Sequence, residues 1–151
     1  MMLCAFYAVY LFFGCAQTER KRMDSSFIID KTMPVINDFF ETVKSGKYKV
    51  ALEELLKKNE NIDLQDSLTL VLKKKFNEIN ESGNFISDTL LRKKQIGDKL
   101  IIYSFFVSYE TKFYRFLFTF YNNGKQVRIF KFSFDDVLDA ELEDSMKLYL
   151  N

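Results

Sequence analysis

Residues 113–134 read FYRFLFTFYNNGKQVRIFKFSF, and their pattern decides the fold. Every second residue from Tyr114 to Phe120 is aromatic, an alternation typical of a strand that buries one of its two sides. Asn123 and Gly124 lie between this run and the next one, and both residue types tolerate the positive φ of a tight turn. The stretch therefore predicts an antiparallel hairpin that collects phenylalanines on one side.

Two further alternating segments precede the hairpin, so the sequence predicts four strands, at about residues 85–95, 100–109, 113–121 and 126–134. The links between them are short and carry turn residues, such as Gly97-Asp98 and Glu110-Thr111. Short links force neighbouring strands to run antiparallel, because a parallel pair needs a crossover of about a dozen residues or more. We expect the Phe-rich sides to face a layer of helices; they hold Tyr114, Phe116, Phe118 and Phe120 on the third strand and Arg128, Phe130, Phe132 and Phe134 on the fourth.

The opposite sides of the third and fourth strands mix apolar with polar residues. That mixture is too apolar for a wholly solvated surface, so it predicts a face that a partner or a tail of the chain partly covers. The candidate interface residues on this face are Arg115, Leu117, Val127, Ile129 and Lys131.

Before Gly83 the hydrophobic period is that of an α-helix. The first predicted helix has Pro34 at its first position and stops at Gly46, and the second covers about residues 47–57. The third starts at Asp66 or Ser67, either of which can accept N–H bonds from the first turn, and closes at Gly83. The predicted fold class is therefore α+β, with three N-terminal helices packed on a four-stranded antiparallel curved sheet.

A short C-terminal helix is predicted between Asp135 and Asn151, with Asp135 or Asp136 as its cap. Apolar residues recur at helical spacing and acidic residues occupy the other side. The apolar set is Val137, Leu138, Leu142, Met146 and Tyr149, and the acidic set is Asp139, Glu141, Glu143 and Asp144.

Residues 39–52 read FFETVKSGKYKVAL, a Phe-rich helix, a Ser-Gly break and a second short helix. Followed by a four-stranded meander, this order resembles the nuclear transport factor 2-like superfamily, and within it bacterial exported domains. The resemblance covers about Met33 to Phe134 and implies a cone-shaped α+β fold with a pocket between helices and sheet. A cystatin-like or other α+β sandwich has the same order of elements and remains the alternative.

Composition excludes several kinds of chemistry. The chain of 151 residues has no histidine, and both of its cysteines lie in the first fifteen residues. Histidine-dependent triads, histidine-ligated metals, a cysteine nucleophile and a cysteine-based zinc site are thereby excluded from the folded part. A net charge of +1 gives no sign of the strongly basic surface of a nucleic-acid binder. We therefore expect no catalytic residue, metal or cofactor, and no nucleic-acid partner.

The N-terminal stretch reads MMLCAFYAVYLFFGC over residues 1–15 and carries no charged side chain. As a helix it would measure roughly 22 Å, short of the ~30 Å hydrocarbon core of a bilayer, which is typical of the apolar part of a signal peptide. Phe12-Phe13-Gly14-Cys15 resembles the lipobox of bacterial lipoproteins. The resemblance implies cleavage before Cys15 and acylation of Cys15.

The domain prediction follows from this leader: residues 1–15 as signal peptide, 16–26 as polar tether and 27–151 as a single domain. The protein would then be anchored in the bacterial cell envelope and face the periplasm or the cell exterior. A simple cleaved signal, an uncleaved anchor and a start at another position are the alternatives.

Three functions remain open on the sequence. The first is a non-catalytic binding or assembly module, anchored to the membrane by its N-terminal lipid and acting as a homodimer or with a protein partner. The second is a small-ligand carrier whose candidate pocket residues are Tyr103, Tyr109 and Tyr114. The third, which the ketosteroid-isomerase branch of the superfamily implies, is a Tyr/Asp lyase or isomerase using Asp38, Glu41 or Asp88. The many phenylalanines of the strands indicate a filled core and favour the first.

Overall fold

The computed structural model describes residues 25–138, with side-chain placement from residue 31 onward. Its elements are α1 (Ser25–Lys44), α2 (Tyr48–Lys57), α3 (Ser67–Glu78), a 3₁₀ turn (Ile79–Ser82), β1 (Phe85–Ile96), β2 (Leu100–Tyr109), β3 (Phe113–Asn122) and β4 (Val127–Asp135). The strands form one open antiparallel sheet in the order β1-β2-β3-β4. The predicted α+β class and the meander are confirmed. The predicted leader and the greater part of the predicted C-terminal helix lie outside the described residues.

The first helix begins earlier than predicted. Pro34 was expected at its first position, but α1 starts at Ser25 and Pro34 lies inside it. Proline fixes φ near the helical value, so a helix can continue past it at the loss of one backbone hydrogen bond. The predicted stop at Gly46 is confirmed, because Gly46 has a φ of +75° and donates to the Val43 carbonyl, while Lys47 donates to the Thr42 carbonyl.

The second helix closely matches its predicted bounds, whereas α3 ends at Glu78, and the 3₁₀ turn Ile79–Ser82 leads from it to Gly83, where the helix was predicted to close. Asp66 caps α3, since its carboxylate accepts from the backbone N–H groups of Leu68 and Thr69. Lys73 of α3 forms an ion pair with Glu53 of α2 at 3.3 Å. The two helices are thereby linked by a partly buried ion pair.

The core lies between the helices and one side of the sheet, and aromatic rings fill it. Phe39 of α1 has its ring centroid 5.2 Å from that of Phe118 and 5.3 Å from that of Phe132. Phe76 of α3 lies 5.6 Å from Phe116 and 5.4 Å from Phe132. Most of these contacts are edge-on or tilted, the arrangement that aromatic rings prefer. The helix-facing side of the sheet is therefore packed, as the Phe-rich alternation predicted.

A β-bulge in β4 changes which residues face the helices. Thr119 pairs with Lys131 but Phe120 pairs with Ile129, so Phe130 is the extra residue on β4. Ile129 is consequently fully buried in the core, whereas Phe130 is 60% exposed. This corrects three expectations: Val127 and Ile129 face the helices, Arg128 faces away from them, and Phe130 leaves the core side.

The bulge is held from the helical layer. The side-chain amide of Asn59, just after α2, donates to the Ile129 carbonyl at 2.7 Å, and the residue is buried. Asn59 Oδ1 accepts in turn from the backbone N–H of Asn61. A buried carbonyl near the irregularity thus gains a partner that the strand ladder alone does not supply.

We call the side of the sheet that faces away from the helices the outer face. Its residues alternate with the core residues along each strand. The outer face consists of Ser87, Thr89, Arg92, Lys94 and Ile96 on β1, Leu100, Ile102, Ser104, Phe106 and Ser108 on β2, Phe113, Arg115, Leu117, Thr119 and Tyr121 on β3, and Arg128, Phe130, Lys131, Ser133 and Asp135 on β4.

Candidate functional site

The three candidate pocket tyrosines do not converge. Tyr103 is fully buried near one end of β2, where its hydroxyl bonds the Thr32 hydroxyl of α1 at 2.7 Å. Tyr109 lies at the other end of β2, with its ring centroid 5.8 Å from that of Tyr114 and 6.3 Å from that of Tyr48. The Tyr114 hydroxyl bonds the Ser82 hydroxyl at 2.8 Å. Tyr109 and Tyr114 therefore share a cluster with Tyr48, and Tyr103 stands apart.

Burial dominates the electrostatics of this cluster. The Tyr109 hydroxyl is the one fully buried side-chain polar atom among the described residues without a hydrogen-bond partner. Burial raises the pKa of Tyr109 strongly, and it also raises the pKa of Tyr48. Tyr109 and Tyr48 therefore hold their protons at neutral pH, and neither provides a base or a phenolate.

The candidate acids do not reach the tyrosines. Asp38 is exposed on α1, and Glu41 and Asp88 both pair with Lys44, at 3.1 and 3.3 Å. Glu110 follows Tyr109 in sequence but is exposed, and hydrogen bonds from Asn84 lower its pKa. Across residues 25–138, no group of three or more acidic, histidine or cysteine side chains could hold a metal ion. The Tyr/Asp arrangement that an isomerase needs is not assembled by these side chains.

A groove of about 260 Å³ lies between α1 and α2. Val35, Phe39, Ala51 and Leu55 form its floor, and Asp38, Glu54, Lys57 and Lys58 also line it. Small-molecule sites are usually larger, at roughly 300–1,000 Å³, and are mostly apolar with only a few polar groups. The groove therefore has the character of a solvated seam between two helices.

The outer face, by contrast, exposes large apolar side chains. Phe130 is 60% exposed, Ile96 48%, Phe113 44% and Tyr121 36%. Ile96, Tyr121 and Phe130 lie towards one end of the sheet and Phe113 lies at the other end. Exposed apolar surface rimmed by polar residues is typical of interaction sites. At the centre of the face, Leu117 of β3 pairs with Ser104 of β2 and Ser133 of β4.

The charges of the outer face are mostly positive. It carries the cations Arg92, Lys94, Arg115, Arg128 and Lys131, and the carboxylate of Asp135. Asp135 binds Arg115 in a bidentate ion pair, with Nε–Oδ1 at 3.0 Å and the second N–O distance at 2.8 Å. Arg92, Lys94 and Lys131 are exposed at the margins of the face. The surface suits a partner that is both apolar and acidic.

Asp135 also directs the chain at the end of β4. Its carboxylate accepts from the backbone N–H of Val137 at 3.1 Å, which makes an Asx turn. Residues 136–138 that follow are not helical, so the predicted helix does not start at Asp135 or Asp136. Val137 is exposed and Leu138 is buried.

The predicted interface residues divide between the two sides of the sheet. Arg115, Leu117 and Lys131 lie on the outer face, whereas Val127 and Ile129 face the helices. The structure adds Phe113, Phe130 and Arg92 to the exposed surface, which the sequence reasoning missed. Phe113 directly precedes Tyr114, so the alternation along β3 could have placed it on the outer face. The exposure of Phe130 could not have been predicted, because the bulge leaves no trace in the alternation. Cys15 lies outside the described residues.

Comparison of the chain with protein-family models, with curated proteins and with solved structures gave no match in any of the three. None of the helices that the structure describes is both long and apolar enough to cross a membrane.

Proposed function

We propose that this domain is a non-catalytic binding or assembly module that recognises an acidic, apolar protein segment through its outer face. The observation that carries the proposal is the exposure of Phe130, Phe113 and Ile96 on the side of the sheet away from the helices. Rings occupy the helix-facing side, so these three side chains belong to the side of the sheet that the described helices leave uncovered.

The packing on the two sides of the sheet also ranks the alternative functions. A carrier needs an apolar cavity between helices and sheet, where the described core instead holds Phe39, Phe76, Phe116, Phe118 and Phe132 in mutual contact. A lyase or isomerase needs an acid beside a tyrosine hydroxyl, and the hydroxyl partners of Tyr103 and Tyr114 are Thr32 and Ser82. Of the three candidate functions, these contacts favour recognition of a partner through a surface.

The partner's chemistry follows from the charges. Lys94 and Lys131 are exposed on the edge strands β1 and β4, near the exposed apolar side chains of Ile96 and Phe130. Opposite charge around an apolar patch speeds encounter and disfavours like-charged partners. An amphipathic segment with acidic flanks satisfies both parts of this surface.

The proposal includes the setting of the domain. The lipobox-like Phe12-Phe13-Gly14-Cys15 supports an envelope lipoprotein anchored at Cys15, with residues 16–26 as tether. Three helices followed by a four-stranded antiparallel meander support a nuclear transport factor 2-like cone with a curved sheet. Both remain part of the proposal.

Photocrosslinking in the producing cells tests the binding proposal. A benzoylphenylalanine at Phe130 or Phe113 of the full chain should give a covalent adduct, and the same probe at Leu68 on α3, which is 78% exposed, should not. Reversing Lys94 and Lys131 to Glu should lower the adduct yield at least fivefold, while reversing the exposed Lys49 and Lys74 should leave it unchanged. Equal adducts from Leu68, or indifference to the first reversal, would contradict the proposal. An adduct with the mass of two chains would identify the partner as a second copy.

Mass spectrometry of the mature N-terminus tests the anchor. The expected product starts at Cys15 and carries acyl chains, since several chains on one residue hold a protein at a membrane firmly. Cys15→Ser should abolish the lipid and release the protein from membranes, and Cys4→Ser is the matched control. An unmodified Cys15 in the membrane fraction would refute this part.

A further inference from the structure

The registers of the sheet arrange the outer-face side chains in rows that cross the strands. One row starts at Lys94 of β1, which pairs with Ile102 of β2. Ile102 pairs in turn with Thr119 of β3, and Thr119 pairs with Lys131 of β4. We call these four residues the lysine row; it has a cation on each edge strand and no charged residue between them. Four strands spaced at about 4.8 Å place the two edge strands about 14 Å apart.

The described residues leave both cations of the lysine row without an acidic partner. Lys94 and Lys131 are exposed, and the ion pairs of residues 31–138 involve neither of them. Asp135, the carboxylate that the described part of the outer face carries, lies towards the opposite end of the sheet and is bound by Arg115. The lysine row therefore presents two positive charges at a spacing that the sheet fixes.

Apolar side chains lie beside the lysine row, on the side of the turn between β1 and β2. The next row contains Ile96, Leu100 and Tyr121, which pair in that order. Phe130, the bulge residue of β4, has its ring centroid 6.4 Å from that of Tyr121. Ile96 and Phe130 are 48% and 60% exposed. An apolar strip and a pair of separated cations thus occupy the same end of the outer face.

A helix suits this surface better than an extended segment does. Side chains cover the face of a sheet, so a segment that lies on the face receives no ladder of backbone hydrogen bonds, whereas a helix satisfies its own N–H and C=O groups. Residues i and i+11 of a helix lie on one side, about 17 Å apart, and residues i+4 and i+7 lie between them on the same side. Acidic residues at i and i+11 therefore match the two lysines, whose long side chains adjust to the remaining difference, and apolar residues at i+4 and i+7 match the strip.

We propose that the outer face binds an amphipathic helix of a partner protein that crosses the strands along the lysine row. One acidic residue of the helix binds Lys94 and a second, about three turns away, binds Lys131. The apolar residues between them pack on Ile96, Tyr121 and Phe130. The inference rests on the proposed function and deepens it, because it specifies the conformation, the direction and the acid spacing of the partner segment.

Fluorescence anisotropy with the full chain and stapled helical peptides tests the acid spacing. The first peptide carries Glu at i and i+11 and Leu at i+4 and i+7; the matched peptide has the same composition, with the second Glu moved to i+9 on the opposite side of the helix. The first peptide should bind about fivefold more tightly at low salt, the effect of one exposed ion pair in a favourable geometry. Lys94→Glu and Lys131→Glu should each weaken its binding about fivefold, and the two together about 25-fold, because sites this far apart act independently.

A charge exchange and a neighbouring control make the test specific. A peptide with Lys in place of one of its two Glu residues should bind the Lys94→Glu variant as tightly as the first peptide binds the wild type. Lys93→Glu is the control, because Lys93 is exposed on the same strand but pairs with Tyr103 on the helix-facing side. It should change the affinity for the first peptide less than twofold.

Four results would overturn the proposal: equal affinity for the two peptides, no binding of either, an equal effect of Lys93→Glu and Lys94→Glu, and no restoration by the exchanged charge. Any of these together with retained photoadducts at Phe130 would refute the helix along the lysine row and leave the binding proposal intact. Loss of the photoadducts as well would refute both.

Discussion

Two buried tyrosine hydroxyls on β2 meet different surroundings. The Tyr103 hydroxyl bonds the Thr32 hydroxyl at 2.7 Å, while the Tyr109 hydroxyl is buried without a partner. A buried hydrogen bond contributes about 0.5–1.5 kcal/mol, whereas a buried polar atom without a partner costs free energy. The same chemical deletion should therefore have unequal effects at the two positions.

Tyr103→Phe should lower the free energy of unfolding by about 1 kcal/mol or more, because it also leaves the buried Thr32 hydroxyl without this bond. Tyr109→Phe should be neutral or stabilising, because it removes only the hydroxyl. Urea denaturation of the two variants beside the wild type measures the difference. A larger loss for Tyr109→Phe than for Tyr103→Phe would show that the Tyr109 hydroxyl has a partner in solution.

Burial of the tyrosines also predicts alkaline sensitivity. Burial raises the pKa of Tyr109, Tyr103 and Tyr48 above the ordinary value of 10.0, so the folded state holds these protons more tightly than the unfolded chain. Their contribution to stability is complete below pH 10 and is lost as the pH rises above it. The Glu41 hydrogen bond raises the pKa of Lys44, which acts in the same direction from its ordinary value of 10.5.

Stability should therefore fall steeply above pH 10, and Tyr109→Phe should make the fall shallower by up to about 1.4 kcal/mol per pH unit for the one proton removed. Denaturant titrations between pH 8 and 11 give the slopes, and absorbance at 295 nm reports phenolate formation. An unchanged slope in Tyr109→Phe would mean that this phenol ionises alike in folded and unfolded chains.

At the scale of elements, the bulge in β4 decides which residues are core. Ile129 is fully buried and Phe130 is 60% exposed, although Phe130 continues the aromatic alternation of the sequence. Asn59 binds the Ile129 carbonyl across a sequence distance of 70 residues. A side chain from the helical layer therefore binds the backbone of β4 beside the bulge.

Neighbouring truncations test this arrangement. Ile129→Ala should cost about 2–5 kcal/mol of the free energy of unfolding, because it leaves a cavity in the core. Phe130→Ala should cost less than about 1 kcal/mol, since most of its ring is in water. Chemical denaturation of both variants gives the comparison, and the opposite ranking would place Phe130 in the core and remove the bulge.

The elements show what the sequence could predict and what it could not. Helix ends at Gly46 and Asp66 and the four strands were predictable, because each depends on local turn chemistry or on alternation. The hairpin at Asn123-Gly124 formed as predicted, although only Gly124 adopts a positive φ. The side assigned to Val127, Arg128 and Ile129 was wrong, because a one-residue bulge reverses the alternation. The hydrogen bond from the distant Asn59 beside this bulge leaves no trace in the local pattern.

The start of α1 could not be predicted from the sequence either. Pro34 favours a first helical position but is compatible with a helix interior, and the chain before it decides between the two. At the candidate site, Arg115, Leu117 and Lys131 were predicted on the outer face, while the Arg115–Asp135 pair was not. Local periodicity does not predict which residues of two strands pair, so it could not place Arg115 opposite Asp135, twenty positions later in the chain.

At the scale of the molecule, the sheet has two unlike sides. One is filled by the rings of α1, α3 and the strands, and the other presents Phe113, Phe130 and Ile96 among cations. The packed rings leave little open volume on the first side, and the second side carries the proposed recognition surface. The binding proposal depends on this sidedness.

The most direct test of that sidedness is solvent paramagnetic relaxation of assigned phenylalanine ring signals, measured by NMR on the full chain with a soluble gadolinium chelate. The rings of Phe116, Phe118 and Phe76 should be nearly unaffected, and those of Phe113 and Phe130 should relax strongly. Strong relaxation of the Phe116 and Phe118 rings, or protection of Phe130 equal to theirs, would contradict the account.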